Sequence, residues 1–275
     1  MLWYDGRIVE GPVPFDLADR GLLLGDGVFD TALALDGRVV FETAHVARLV
    51  AAAESLGFSI DAGAILKAMR AVAGTAPRAA VRTTVTRGAG PRGVAPPKEP
   101  RPLIFASAAA AKPGLAHASL RLQVSAIARN ETSPTSRTKT LGYLDAVLAA
   151  GSAQAAGFDE ALFLNTKGRV ACAGTGNLFA VIDRQLVTPP VEEGLLPGIT
   201  RALLLEQAPN LGLPVRERAL SLDELLQAQA VFLTNSLRLL SPITAIGERS
   251  WPEKEDPTIV RCQELIARVI DSAKT

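Results

Sequence analysis

Two Asp-Gly pairs, Asp5-Gly6 and Asp36-Gly37, each sit between short β-prone runs. A two-residue hairpin turn needs a positive φ at its central positions, and Asp-Gly tolerates it. The amino-terminal part is therefore expected to open with antiparallel strand pairs. Helical periodicity follows. Thr43 is expected to cap a helix over 44–56, on which His45, Arg48, Leu49, Ala52 and Leu56 fall at i, i+3, i+4, i+7 and i+11. A second helix over about 61–73 and strands over 79–87 and 103–110 complete this part. Ala111-Lys112-Pro113-Gly114 then breaks the pattern. The expected organisation is α+β: a small domain over 1–112, a linker over 113–118 and a larger domain over 119–275.

Beyond the break, a strand over 120–128 leads through a polar stretch to Ser136-Arg137-Thr138-Lys139-Thr140-Leu141-Gly142-Tyr143-Leu144. Leu144, Val147 and Leu148 recur at helical spacing up to Gly151, which predicts a buried helix with Lys139 just before it. Segments 160–165 and 168–172 read as a hairpin around Thr166-Lys167-Gly168, and 177–182 as a strand. A helical run over 202–207 follows Pro197-Gly198-Ile199-Thr200. Ser221 and Glu224 have capping-box spacing, and 231–234 reads as a strand. A closing helix starts at Asp256-Pro257, with Ile259, Cys262, Leu265, Ile266, Val269 and Ile270 as its apolar face.

Composition removes several functional classes. Of 275 residues 48% are hydrophobic, enough for a generous core, and 29 basic against 28 acidic side chains leave a net charge of +1. Such a balance gives no electrostatic case for nucleic acid or an anionic membrane. Two cysteines, Cys172 and Cys262, and two histidines, His45 and His117, form neither a disulfide framework nor a clustered metal site by spacing. With no apolar signal core after Met1 and no run long enough to span a bilayer, the expectation is a soluble cytoplasmic protein with small-molecule partners.

Several residues carry possible chemistry. A half-buried Lys139 would have its pKa drawn down from about 10.4 and act as a neutral amine, either nucleophile or base. A surface lysine at a helix start is the other reading. Arg48 borders the inward stripe of its helix and needs an anion there, a ligand or a neighbouring carboxylate. Arg92 lies amid the turn-formers 88–97, where it either pairs with a substrate carboxylate or is solvated. Ile199 and Thr200 open a helix, whose free amides suit a phosphate. Asn235 and Ser236 end a strand with small polar side chains. Pyridoxal phosphate would satisfy these features together: Lys139 for its aldehyde, and Arg48, amides and hydroxyls for its phosphate.

The motifs resemble those of the class IV, or fold-type IV, pyridoxal-phosphate enzymes, which include branched-chain and D-amino acid aminotransferases and aminodeoxychorismate lyases. The matching pieces are Asp19-Arg20-Gly21 with Gly25-Asp26-Gly27-Val28-Phe29, His45-Val46-Ala47-Arg48-Leu49, Thr86-Arg87-Gly88 with Pro91-Arg92-Gly93, and Lys139-Thr140-Leu141-Gly142-Tyr143. Gly174-Thr175-Gly176-Asn177-Leu178-Phe179, Leu196-Pro197-Gly198-Ile199-Thr200-Arg201 and Thr234-Asn235-Ser236 complete the set in the family's order. The resemblance implies a small α+β domain, a larger pseudo-barrel domain with the cofactor between them, and a homodimer or larger assembly with a shared active site. It further implies Lys139 as the Schiff-base lysine and proton carrier, Arg48, Ile199, Thr200 and Ser236 on the phosphate with Asn235 beside them, and Tyr143 near the phenolic oxygen. Arg92 would take a substrate carboxylate. Thr31, shortly after Gly27-Val28-Phe29, is a candidate for protonation.

One position departs from the family. Five residues before Asn177, where members carry the glutamate that keeps the pyridine nitrogen protonated, stands Cys172. A neutral thiol makes the cofactor a poorer electron sink, whereas a low-pKa thiolate would restore the charge. With the Thr234-Asn235-Ser236-Leu237 segment and the short chain, this favours aminodeoxychorismate lyase, which forms 4-aminobenzoate and pyruvate for folate synthesis. The alternatives are a D-amino or branched-chain amino acid aminotransferase, and a cofactor-binding member weakened in catalysis.

Overall fold

The computed structural model describes residues 1–252 and 256–272. It divides into two units, Met1–Pro113 with Thr138–Gly142, and Gly114–Arg137 with Tyr143–Thr275.

In the first unit, β1 (Leu2–Tyr4), β2 (Arg7–Val9), a short helix α1 (Arg20–Leu24), β3 (Gly27–Leu35) and β4 (Arg38–Val39) precede α2 (Glu42–Ser55), α3 (Ala62–Ala73), β5 (Arg78–Thr86) and β6 (Leu103–Ala110). Among the described residues the strands form one antiparallel sheet in the order β2-β1-β6-β5-β3-β4. Both Asp-Gly pairs are hairpin turns: Tyr4 faces Arg7, Leu35 faces Arg38, and Asp5, Gly6, Asp36 and Gly37 all have positive φ. Strand alternation gives the sheet two characters. Val28, Ala32, Ala34, Val81 and Val85 turn toward Leu49, Ala53, Ile65, Met69 and Val72 of α2 and α3 in one apolar core. Phe29, Thr31 and Arg82 belong to the opposite face.

Two expectations need correction in this unit. Thr43 lies inside α2 and does not cap it; the helix starts from Phe41 in left-handed conformation, with no capping side chain. Glu42 instead places a carboxylate in the first turn, where it accepts a forked pair of bonds from Arg70 at 2.8 and 2.6 Å. The second concerns Lys139, expected in the carboxy-terminal domain. Thr138–Gly142 groups with the first unit because it pairs along the edge of β3. β4 covers only Ala34 and Leu35 on that edge. Further along it, the Phe29 amide donates to the Lys139 carbonyl (3.0 Å), the Leu141 amide donates to the Gly27 carbonyl (3.0 Å), and Val28 bridges Thr140.

The glycine-rich motifs make an ion network. Asp19 caps α1 and accepts from the Thr86 hydroxyl at 2.6 Å. The Asp26 carboxylate accepts from Nε of both Arg20 (2.7 Å) and Arg87 (2.8 Å). Arg20, only 3% exposed, also donates to the carbonyls of Gly93, Val94 and Ala95. Three consecutive carbonyls thereby hold the 88–97 loop onto one buried guanidinium.

The second unit contains β7 (Leu120–Val124), α4 (Leu144–Ala155), β8 (Glu160–Leu164), β9 (Val170–Ala173), β10 (Asn177–Ile182), β11 (Gln185–Thr188), α5 (Ile199–Gln207) and β12 (Val215–Glu217). Then come α6 (Leu222–Gln227), β13 (Ala230–Asn235), β14 (Leu239–Ile246), β15 (Arg249–Ser250) and α7 (Pro257–Ser272). The strands form a curled mixed sheet in the order β12-β11-β10-β13-β14-β7-β8-β9, with β15 on β14. The capping box at Ser221 and Glu224 is present, and α7 buries Ile259, Cys262, Leu265, Ile266 and Ile270. β7 ends at Val124, four residues earlier than expected. The helix after Gly142 forms, but its expected buried stripe faces outward: Leu144, Val147 and Leu148 are 74%, 61% and 63% exposed. α4 instead packs Ala149 and Ala153 on Ala161, Phe163 and Ala171, where small side chains let the helix approach the sheet closely.

Burial alone would raise the Asp26 carboxyl, but hydrogen bonds from Arg87 and then Arg20 outweigh it and hold the group below the usual carboxylate range. Its stabilising effect is then complete above about pH 4 and lost as the pH falls below it. Asp26→Asn, which leaves two buried guanidinium groups without their shared anion, should lose about 3 kcal/mol at pH 7 in urea denaturation. The gap from wild type should narrow toward pH 2. Equal stability at neutral pH would show that the network contributes nothing.

Candidate active site

In the first unit the candidate residues gather around β3. Lys139 sits on its edge, half-buried, with Nζ 4.4 Å from the centroid of the Phe29 ring. The Arg82 guanidinium lies over the same ring at 3.7 Å. Thr31, two residues on, is opposite Arg82, which is opposite Ser107, which is opposite Leu2. This row gives an open cavity of about 910 Å³ a cation and two hydroxyls; Glu10 adds a carboxylate to the lining, and Ile8 and Val9 add apolar walls. Arg82 escaped the sequence reading. Its signal was available: in 80–84 it alternates with the buried Val81 and Thr83, so it points away from the core.

On the other face of β3, Asp30 meets the helix that carries Arg48. Nε and Nη2 of Arg48 donate to the two Asp30 oxygens at 2.8 Å each, and Nδ1 of His45 lies 2.8 Å from Oδ1. Arg48 thus has the neighbouring carboxylate that was one of its two readings, and Nη1 is the nitrogen this carboxylate does not use. Burial would raise the Asp30 carboxyl; the hydrogen bond from His45 and the charge of Arg48 hold it far below the usual range. Arg92 is exposed in the loop held by Arg20.

The second unit has its own set. Gly198 precedes α5, and no side chain caps the helix. The buried Thr200 hydroxyl in its first turn has no hydrogen-bond partner. A helix start with an unused buried hydroxyl is suited to an anion. Its position is fixed by Asn177, which donates to the Leu196 carbonyl at 2.9 Å and sits so close that a Cβ at Gly198 would collide with it. Arg201, donating to Pro189 O and to Glu217, fixes the following turn. At the end of β13, Thr234 has a second buried hydroxyl without a partner. The Asn235 side chain, expected near the cofactor, accepts from the amides of Leu237 and Arg238 and so shapes the turn that presents the half-buried Ser236. Tyr143 is half-buried at the start of α4.

Cys172 is in β9 opposite Phe163, surrounded by Ala149, Ala153, Ala161, Ala171 and Leu195. Burial pushes its thiol up; the charge of Arg129 opposes this and that of Glu160 adds to it. This environment favours the neutral thiol over the thiolate that the sequence left open. Among the described residues no helix is long and apolar enough to cross a membrane, and no three His, Cys, Asp or Glu side chains group to hold a metal.

The chain is similar to known proteins both in sequence and in fold. The profile of the family described as amino-transferase class IV matches residues 27–246. A Methanocaldococcus jannaschii protein provisionally named branched-chain-amino-acid aminotransferase is 35% identical over 92% of this chain and 90% of its own length. Among solved structures, 4-amino-4-deoxychorismate lyase from Pseudomonas aeruginosa is 31% identical with a TM-score of 0.85 over 100% of both chains. Escherichia coli branched-chain amino acid aminotransferase is 25% identical, with a TM-score of 0.88 over 96% of this chain and 92% of its own.

Burial also pushes the Cys262 thiol up, to about 12. Both thiols should therefore be unreactive toward a thiol-specific reagent at pH 8 in the native protein, and both should titrate after denaturation. One thiol reacting rapidly in the native state, mapped to Cys172, would contradict its placement in an apolar pocket.

Proposed function

We propose, for a chain that belongs to the class IV aminotransferase family of pyridoxal-phosphate enzymes, that its reaction is the conversion of 4-amino-4-deoxychorismate to 4-aminobenzoate and pyruvate. The observation behind this reading is the buried thiol of Cys172 at the position where the family resemblance expects a carboxylate. A carboxylate stabilises a pyridinium by charge; a thiol held neutral does not. Transamination, which stores electrons on the ring, suffers most from that loss. Elimination with aromatisation of the product depends on it less. The full-length similarity to a 4-amino-4-deoxychorismate lyase supports the same reading.

When bound, pyridoxal phosphate supplies an electron-accepting ring that weakens bonds at the amine-bearing carbon. The chain's own groups do the rest. Lys139 Nζ takes the proton from that carbon, its backbone held by the Gly27–Phe29 edge of β3. Thr200 Oγ1, the first amides of α5 and Ser236 suit a phosphate, as does Nη1 of Arg48. Tyr143 would face the phenolic oxygen. Thr31 is the candidate for protonating the departing enolpyruvyl group, and Arg92 for a substrate carboxylate, with Arg82 a second cation for that role. We further propose a cytoplasmic homodimer with a shared active site; the exposed Leu22, Leu23 and Leu24 of α1 and Leu144, Val147 and Leu148 of α4 offer apolar surface for it.

A second reading, aminotransfer with branched-chain or D-amino acids, is favoured by the M. jannaschii relative. The two readings separate in one assay series. Purified protein given 4-amino-4-deoxychorismate should release 4-aminobenzoate and pyruvate in equal amounts, and simple amino acids should convert the cofactor to its pyridoxamine form slowly. Cys172→Glu should raise that half-reaction at least roughly tenfold. Rapid half-reactions with amino acids in the wild type, and no 4-aminobenzoate, would establish the aminotransferase reading instead.

A further inference from the structure

Asp30 is a carboxylate in the wrong place for a stable core. It is 1% exposed in the middle of β3, between Val28 and Ala32, on the face that packs against α2 and α3. Burying a carboxylate there is costly, and an apolar replacement of a whole buried set is often neutral or better for stability, so the ion pair by itself is weak evidence of a stabilising role. The geometry is specific. His45 and Arg48 are three residues apart on α2 and so reach the same point of β3. Arg48 presents one edge of its guanidinium, Nε and Nη2, to both Asp30 oxygens, while His45 Nδ1 sits on Oδ1. Because the guanidinium is planar, two bonds on one edge fix its plane and the direction of the third nitrogen. Nη1 is thereby aimed, and the Arg48 side chain retains 13% exposure against 1% for Asp30.

We infer that Asp30 is a positioning residue: its carboxylate, steadied by His45, fixes the plane of Arg48 so that Nη1 meets the cofactor phosphate. This rests on the reading of Arg48 as a phosphate ligand, and it assigns Asp30 and His45, which take no part in that reading, a role in cofactor affinity. The effect should depend on the phosphate. Pyridoxal, the same aldehyde without that group, makes every other bond and should not register a change at Asp30.

The test is equilibrium binding of pyridoxal phosphate and of pyridoxal to the apo-protein, followed by absorbance, for the wild type, Asp30→Asn, Arg48→Gln and the double variant. Asp30→Asn should weaken pyridoxal phosphate binding roughly tenfold and leave pyridoxal within about twofold. Arg48→Gln should lower the ratio of the two affinities at least as far. The double variant should match Arg48→Gln alone, because an aiming device has nothing left to aim. Equal weakening of both ligands by Asp30→Asn, or no change, while Arg48→Gln lowers the ratio, would overturn the positioning role and leave the phosphate reading standing. An unchanged ratio in Arg48→Gln would overturn both. If Asp30→Asn does not fold, Asp30→Glu, which keeps the charge and displaces it by a methylene, is read by the same ratio with the same outcomes.

Discussion

Two hydrogen bonds along the open edge of β3 fix the place of Lys139, on which the proposed chemistry depends. Because β4 is only two residues long, Gly27–Phe29 keep a free edge, and residues 139–141 take it. An edge strand with unpaired amides and carbonyls seeks such a partner, and here the partner carries the lysine. Lys139 is therefore fixed by backbone register, and its amine arrives beside Phe29 as a consequence. One strand then has three outlets: the edge holds Lys139, one face sends Asp30 to Arg48, and the opposite face presents Phe29 and Thr31 next to Arg82. A one-residue slip in β3 would exchange the two faces and scatter all of them.

The first unit places charge inside and pairs it. Asp26 joins Arg20 to Arg87, and Asp30 accepts from Arg48 with the His45 ring beside it, so these three guanidinium groups each have a carboxylate. In the second unit the corresponding choice at Cys172 is the reverse, a neutral side chain in an apolar cluster. An anion is kept where a guanidinium must be oriented. It is absent where the family resemblance expects one to hold a proton on a ring nitrogen. That contrast is the physical basis for favouring elimination over transamination.

Much of this was legible in the sequence where local chemistry dictates local geometry. The Asp-Gly turns, the helix starting near Asp61, the Ser221 capping box and the strand Asn177–Ile182 need no tertiary information. The hairpin joining β10 to β11 was missed because its turn, Asp183-Arg184, reaches positive φ at both residues without a glycine to announce it. The length of β3 was hidden by the glycines and aspartates of 19–27, which read as bends and turned out to be a short helix and an ion network. Periodicity located α4 but not its inward face, because alanines supplied the contact and leucines did not. Of the candidate site, Lys139, Arg48 and Thr200 were named from the sequence. Asp30 and Arg82 were not, since their significance depends on which strand faces which helix and which residue lies across the ladder.

Lys139 is the residue on which the proposed chemistry depends most directly. Reduction of the cofactor-loaded protein with borohydride, followed by digestion and mass spectrometry, should find a single pyridoxyl group, on Lys139 in the peptide containing Thr140-Leu141-Gly142. A pyridoxyl group on another lysine, with Lys139 unmodified, would contradict it.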